Sequence, residues 1–312
     1  LSNIGEYGMN LRKLEFLLCL VPVIWIPEIC RATEPIQVTV SIPPQKYFVE
    51  RIGGKAVKVS VLVPPGSNPA NYEPRPSQMK ALALSRIYFA IGVPFERVWL
   101  EKITAVNPKI RMVHTDQSIQ KLKMASHFDP GGESYEEKSV ASHKSTHPEQ
   151  GLDPHIWLSP PLVKKQARVI RDALVSVDSA QKKVYMENFE AFQADLDQLD
   201  SEIREIFTHK GRANEFLVFH PSWGYFAKEY GLKQVPIEVE GKEPHAAEMA
   251  RLIKYAKGRG IKVIFVQPQF STKRAEAIAM EIGARIVIAD PLREDWMQNL
   301  REVATKFDAA LR

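Results

Sequence analysis

Two sets of four short β-branched runs, separated by one long amphipathic segment, restrict what this chain can fold into more than any other feature. The first set lies at 36–41 (IQVTVS), 57–63 (VKVSVLV), 87–91 (IYFAI) and 110–114 (IRMVH). The second lies at 216–219, 234–239, 262–266 and 285–289. Helical stretches near 45–53, 76–84, 95–106, 221–230, 245–258, 271–282 and 294–311 fall between and after them. Strands that alternate with helices of this length pair in parallel, with the helices covering both faces of the sheet. The expected fold is therefore α/β, two doubly wound parallel-sheet lobes.

Between the two sets, Tyr185, Phe189, Phe192, Leu196, Leu199, Ile203 and Ile206 recur at three- and four-residue spacing among charged residues. That period predicts one amphipathic helix over 185–206, about 33 Å long at 1.5 Å per residue. A helix of that length with a single apolar stripe reads either as a core helix of one lobe or as a rigid spine joining both. Its place between the two sets favours the spine, which would restrict hinge motion.

The 312 residues suffice for two domains of roughly 130 to 150 each. The expected organisation is an N-terminal lobe over 33–180, a linking helix over 181–210 and a C-terminal lobe over 211–312. Residues 124–152 are polar and rich in Gly, Ser and Glu, and they read as a long surface loop carrying His127, His143 and His147. Upstream, two basic residues precede an apolar run at 16–26 and small residues near Ala32. This is the layout of a secretory signal peptide, so residues 1–32 read as that signal plus an upstream extension. The run falls short of the ~20 apolar residues of a membrane span. Both cysteines, Cys19 and Cys30, lie in this segment. The mature chain then has no disulfide and no thiolate site. Lipid anchoring through Cys30 is disfavoured because Ile29 stands where such a signal needs a small residue. The expected location is the periplasm. A net charge of +5 without basic clusters gives no nucleic-acid footprint.

Ligands of open α/β sheets bind beyond the carboxyl ends of the strands. There the chain carries His220-Pro221-Ser222-Trp223, Gln267-Pro268-Gln269 and Asp290-Pro291-Leu292. A further segment, Asp153-Pro154-His155, opens the central helical region. Two histidines and one aspartate on proline-flanked loops can supply a metal site of two nitrogens and one carboxylate. A single histidine at a strand end is more often a hydrogen-bonded structural residue, so the case rests on the three converging. His114 reads as core or turn, and His245 as a helix-start residue.

In order along the chain, NYEPRPSQMKAL, LDPHIWLSP, FHPSWGYFAKEYGL, GKEPHAAEMARLI, FVQPQFSTKRAEAIAMEIGA and ADPL resemble the blocks of the ZnuA/TroA-like metal-binding proteins of bacterial ABC importers. The resemblance covers essentially the whole mature chain. It implies two α/β lobes joined by one long helix, with a metal ion held between them and passed to a permease at the inner membrane. It places metal ligands at His155, His220 and Asp290. His220 favours zinc, because manganese carriers of the family often have Glu there; manganese or another divalent transition metal is the alternative.

The first ligand departs from the pattern. The family usually reads Gly-Ala-Asp-Pro-His-x-Tyr-Glu-Pro, and here Ala70 stands in the histidine position. Many zinc-type members also have Glu where this chain has Gln267. Water can complete the coordination, or Asn71, Glu240, His143 or His147 can swing in, or a different metal is carried. The expected function is a monomeric, non-enzymatic metal carrier. The alternatives are an exported adhesin-like module with a degenerate metal site and, since two His, one Asp and an open position also describe catalytic zinc, a zinc hydrolase. No HExxH motif or nucleophile elbow supports the last.

Overall fold

The central strands are apolar over their whole length, and this decides where they sit. Ile87–Ala90 (β3) and Val263–Val266 (β7) are buried at every position, as strands covered by helices on both faces must be. The computed structural model describes Leu1 and residues 34–124, 151–208, 213–238 and 245–312, and residues 34–312 form one compact unit. In the first sheet, Ile36–Val40 (β1), Val57–Val61 (β2), β3 and Arg111–His114 (β4) run parallel in the order β2-β1-β3-β4. The second sheet repeats that plan. Glu215–Val218 (β5), Lys233–Pro236 (β6), β7 and Arg285–Ile288 (β8) lie in the order β6-β5-β7-β8, again parallel. Strands β4 and β8 lie at sheet edges and carry exposed residues at both ends. Each sheet reverses its winding between its first and third strands, which opens a crevice at the carboxyl ends there.

Pro43–Gly53 (α1), Pro76–Ala83 (α2) and Glu96–Val106 (α3) follow the first three strands, and Pro160–Val177 (α4) and Lys182–Ile206 (α5) join the halves. Gly224–Glu229 (α6), Ala246–Gly258 (α7), Thr272–Ile282 (α8) and Trp296–Leu311 (α9) complete the second half. The eight expected strands are all present, and the long helix starts three residues earlier than its stripe suggested. Helix α4 had no separate expectation; its apolar stripe (Val163, Ala167, Ile170, Leu174) is as regular as that of α5.

Helix α5 buries Tyr185, Phe189, Phe192, Leu196, Leu199 and Ile203, and it packs against α1 and α4 as well as α9 of the C-terminal lobe. The fold is thus two parallel-sheet lobes built on one long helix. A single apolar core runs through both lobes, and a second cluster (Leu217, Val235, Leu252, Ile264, Ile278) fills the outer part of the C-terminal lobe. At the junction Phe48 of α1 meets Trp296 of α9 edge-on at 5.0 Å and Phe192 of α5 at 6.1 Å. Ion pairs join Lys46 to Glu294, Arg51 to Asp195, and Arg301 to Glu202. Among the described residues no helix is long and apolar enough to cross a membrane. The segment expected to be a signal peptide and nearly all of loop 124–152 lie outside the described residues.

Candidate metal centre

Pro69 to Pro74 follow β2 in a loop braced from several sides. Asn68 Oδ1 accepts a hydrogen bond from the Ala70 N–H at 2.8 Å, closing an Asx turn. The Tyr72 hydroxyl donates to Gln78 Oε1 at 2.7 Å, and its ring lies edge-on to Phe95 at 6.2 Å. Phe95 N–H donates to the Pro69 carbonyl. These contacts explain the proline-rich frame: it holds Ala70 and Asn71 at the wall of a cleft of about 810 Å³ between the lobes.

His155 reaches the same cleft from the loop before α4. Asp153 Oδ1 accepts the His155 backbone N–H at 2.9 Å and lies 2.7 Å from His155 Nδ1. With Nδ1 carrying the proton, Nε2 keeps its lone pair for a ligand. The loop is tied across to the second lobe. The Tyr225 hydroxyl donates to the Asp153 carbonyl at 2.8 Å, Trp157 Nε1 to the Pro291 carbonyl at 2.7 Å, and Trp296 Nε1 to the Trp157 carbonyl at 2.7 Å.

His220 follows β5 at the switch point of the second sheet. Buried Gln267, just beyond β7, clamps its backbone: Oε1 accepts the His220 N–H at 3.2 Å, while Nε2 donates to the His220 carbonyl at 2.7 Å and to Ser222 Oγ at 3.0 Å. The His220 ring stacks on Phe270 at 4.8 Å and meets the His155 ring edge-on at 5.3 Å. Glu238, buried beside it, places Oε1 3.5 Å from His220 Nδ1. That is within ion-pair range but is not a hydrogen bond, and both atoms are buried without a hydrogen-bond partner among the described residues. Burial holds His220 below the ordinary histidine pKa and outweighs the upward pull of Glu238 and Asp153, while His155 adds to the lowering. The neutral ring is the form that binds metal.

Asp290 is placed differently. Its Oδ1 accepts hydrogen bonds from Gln269 Nε2 at 2.8 Å and the Leu292 N–H at 2.9 Å. Among the described residues no three His, Cys, Asp or Glu side chains stand close enough to hold one metal ion. The structure therefore brings His155 and His220 together, with Asn71 on the cleft wall, and leaves Asp290 hydrogen-bonded to Gln269 and Leu292. Glu240, His127, His143 and His147 lie outside the described residues. His245 starts α7, as expected, and the His114 side chain is 47% exposed at the end of β4, so it is no core residue.

Sequence reasoning passed over Asp153, Glu238 and the clamping role of Gln267. Asp153 had a local signal, an Asp two residues before a histidine across a proline. Glu238 had none. It reaches His220 only because the parallel ladder of β5 and β6 continues past both strands, with the Glu238 N–H bonded to the Phe219 carbonyl at 2.8 Å.

A family model described as the periplasmic component A of the zinc-uptake complex, ZnuA, matches residues 38–310. The chain belongs to the ZnuA family. A Bacillus subtilis relative, described as a high-affinity zinc uptake system protein ZnuA, is 30% identical over 261 residues, 83% of this chain and 79% of its own length. A crystal structure of a ZnuA protein superposes with a TM-score of 0.79 at 43% identity, covering 89% of this chain and 100% of that one. A zinc-bound deletion mutant of ZnuA gives the same score and identity over 89% of this chain and 98% of its own. The two-lobed ZnuA architecture expected from the sequence blocks is the one observed.

Proposed function

We propose that this ZnuA-family chain captures zinc between its lobes in the periplasm, as a monomer, and delivers it to an ABC permease in the inner membrane. The observation that carries the reading is the meeting of two histidine rings, His155 and His220, 5.3 Å apart across the lobe interface. Each turns Nδ1 toward a buried carboxylate. Backbone clamps hold both before any ion arrives, and such preorganisation limits the entropy lost on binding. The zinc-bound ZnuA relative and the zinc-uptake description of the B. subtilis relative support zinc as the cargo.

Asp290, whose Oδ1 is hydrogen-bonded to Gln269 and Leu292, completes the proposed ligand set by moving in as the ion binds and giving it the second oxygen. Ala70 contributes no donor, so the fourth position goes to water or to Asn71, Glu240, His143 or His147. A tetrahedral ion with an open fourth position suits a carrier that must later release its cargo.

The test is calorimetric titration of the purified protein with Zn²⁺ and Mn²⁺. Zinc should bind more tightly than manganese, and His155→Ala and His220→Ala should each weaken zinc by more than about 100-fold, beyond the usual cost of losing an outer-shell partner. Unchanged affinity in both variants would overturn the site. Asp290→Asn tests the third ligand by the same measurement.

A further inference from the structure

The pairing of His220 with Glu238 has the marks of a device for setting one tautomer. A neutral imidazole has one N–H and one ring lone pair, and the nitrogen that donates its N–H to a neighbour leaves the lone pair of the other to bind an ion. His155 already shows the arrangement, with Nδ1 2.7 Å from Asp153 Oδ1. At His220 the corresponding nitrogen is buried, aimed at Glu238 Oε1 at 3.5 Å, and among the described residues neither atom has another hydrogen-bond partner. A buried carboxylate oxygen and a buried ring nitrogen left unpaired cost free energy that a shift of about half an ångström would recover. The remaining edge of the His220 ring faces the cleft, where the ring is 17% exposed.

We infer that Glu238 is the positioning residue of His220: its carboxylate accepts the Nδ1–H, closing to a hydrogen bond when the ring is drawn onto an ion, and so dedicates Nε2 to the cargo. Resting on the reading of His220 as a ligand, it extends the site to two histidine–carboxylate pairs, one from each lobe. The backbone explains why Glu238 can do this. The Ile237 and Glu238 N–H groups continue the ladder onto the Val218 and Phe219 carbonyls at 2.8 Å each, so the carboxylate cannot drift from His220 without breaking the sheet extension. Phe270 stacks on the ring and limits its rotation.

The same 3.5 Å would also separate two atoms bound to one tetrahedral zinc, which lie about 3.4 Å apart for bonds of ~2.1 Å. Positioning is favoured because both atoms are shut off from solvent, whereas a ligand atom faces the cleft.

The experiment reads the tautomer directly in the metal-free full chain. Long-range ¹H–¹⁵N spectra of ¹⁵N-histidine-labelled protein, assigned with His220→Ala, should show His220 protonated at Nδ1. Glu238→Leu should shift it toward the Nε2–H form, and Glu238→Gln, whose amide oxygen still accepts, should keep Nδ1–H. In zinc titrations Glu238→Leu should lose about 10- to 100-fold in affinity, the range for an outer-shell partner of a metal-bound histidine. Glu238→Gln should recover most of that loss. An Nε2–H tautomer in the unmodified chain, or a tautomer indifferent to Glu238→Leu, overturns the inference. So does a Gln variant as weak as the Leu variant, which would mark Glu238 as a direct ligand. Zinc affinity unaffected by His220→Ala would instead sink the proposed site and leave the tautomer result standing on its own.

Discussion

At the scale of single residues, the buried acid Glu96 holds a turn of the first lobe. Glu96, at the start of α3, accepts hydrogen bonds from the Ile91 N–H at 3.0 Å, the Gly92 N–H at 2.8 Å and the Ser41 hydroxyl. Gly92 has φ of +85°, and a side chain there would run into Lys121 and Asp116, so glycine is required for the turn that aims those N–H groups. Burial nevertheless pushes the Glu96 carboxyl up to about 7, with the Asp116 charge adding to the rise. Its folded pKa lies above the unfolded value of 4.5. Its stabilising contribution is therefore fully present below pH 4.5 and is lost as pH rises through about 7. Glu96→Gln, which cannot ionise, should gain in stability relative to the unmodified chain between pH 5 and pH 8. Urea unfolding of both proteins across that range checks it, and a constant difference would show that Glu96 does not titrate there. His220 has the opposite sign: with its pKa lowered, its contribution is lost as pH falls below the ordinary histidine value. The residue that invites repair is Ala70. Its backbone is held by Asn68 at the cleft wall. Ala70→His should tighten zinc by more than about tenfold, equal to about 1.4 kcal/mol. An unchanged affinity in the titration would mean that another group already fills that position.

Among elements, α5 decides whether the two lobes behave as one body. It packs against α1 and α4 as well as α9 of the C-terminal lobe, so a cavity made in it is felt by both lobes. Leu196 is fully buried, and Leu196→Ala should cost about 2–5 kcal/mol. The expected outcome is one shared transition at lower denaturant, with far-UV circular dichroism and tryptophan fluorescence still coincident. A variant in which the two signals separate would mean that the lobes unfold independently. This element was also the most legible in the sequence. Seven apolar residues at helical spacing needed no tertiary context, and the structure only lengthened the helix by one turn. The central strands β3 and β7 were equally legible, because doubly covered parallel strands are continuous apolar runs. Helix α6 was shorter than expected, 224–229 against 221–230, because Pro221 and the backbone clamp on His220 keep the preceding residues in a loop.

For the whole molecule, the continuous core argues against wide opening of the cleft. The same cluster includes Phe48 and Phe89 of the first lobe and Phe265, Trp296 and Phe307 of the second. Moving the lobes apart would expose part of it, at about 25 cal/mol for each Å² of apolar surface. Zinc binding should therefore change the radius of gyration, measured by small-angle scattering, by less than roughly 1 Å, as for preorganised partners. A larger contraction would show a hinge that the packing does not suggest. The amino-acid sequence by itself determined the two α/β lobes, the long helix between them, and His155 and His220 as histidines on proline-flanked loops, the first before the central helices and the second after a strand. Those are local properties: periodicity, proline punctuation and residue type can be read without knowing what touches what. Only the tertiary structure decided that the two rings meet at 5.3 Å, that Gln269 and Leu292 hydrogen-bond Asp290, and that Glu238 stands against His220. The physical reason is that, the Leu292 bond aside, these are contacts between groups 18 to 65 positions apart in the chain, set by sheet register and lobe packing.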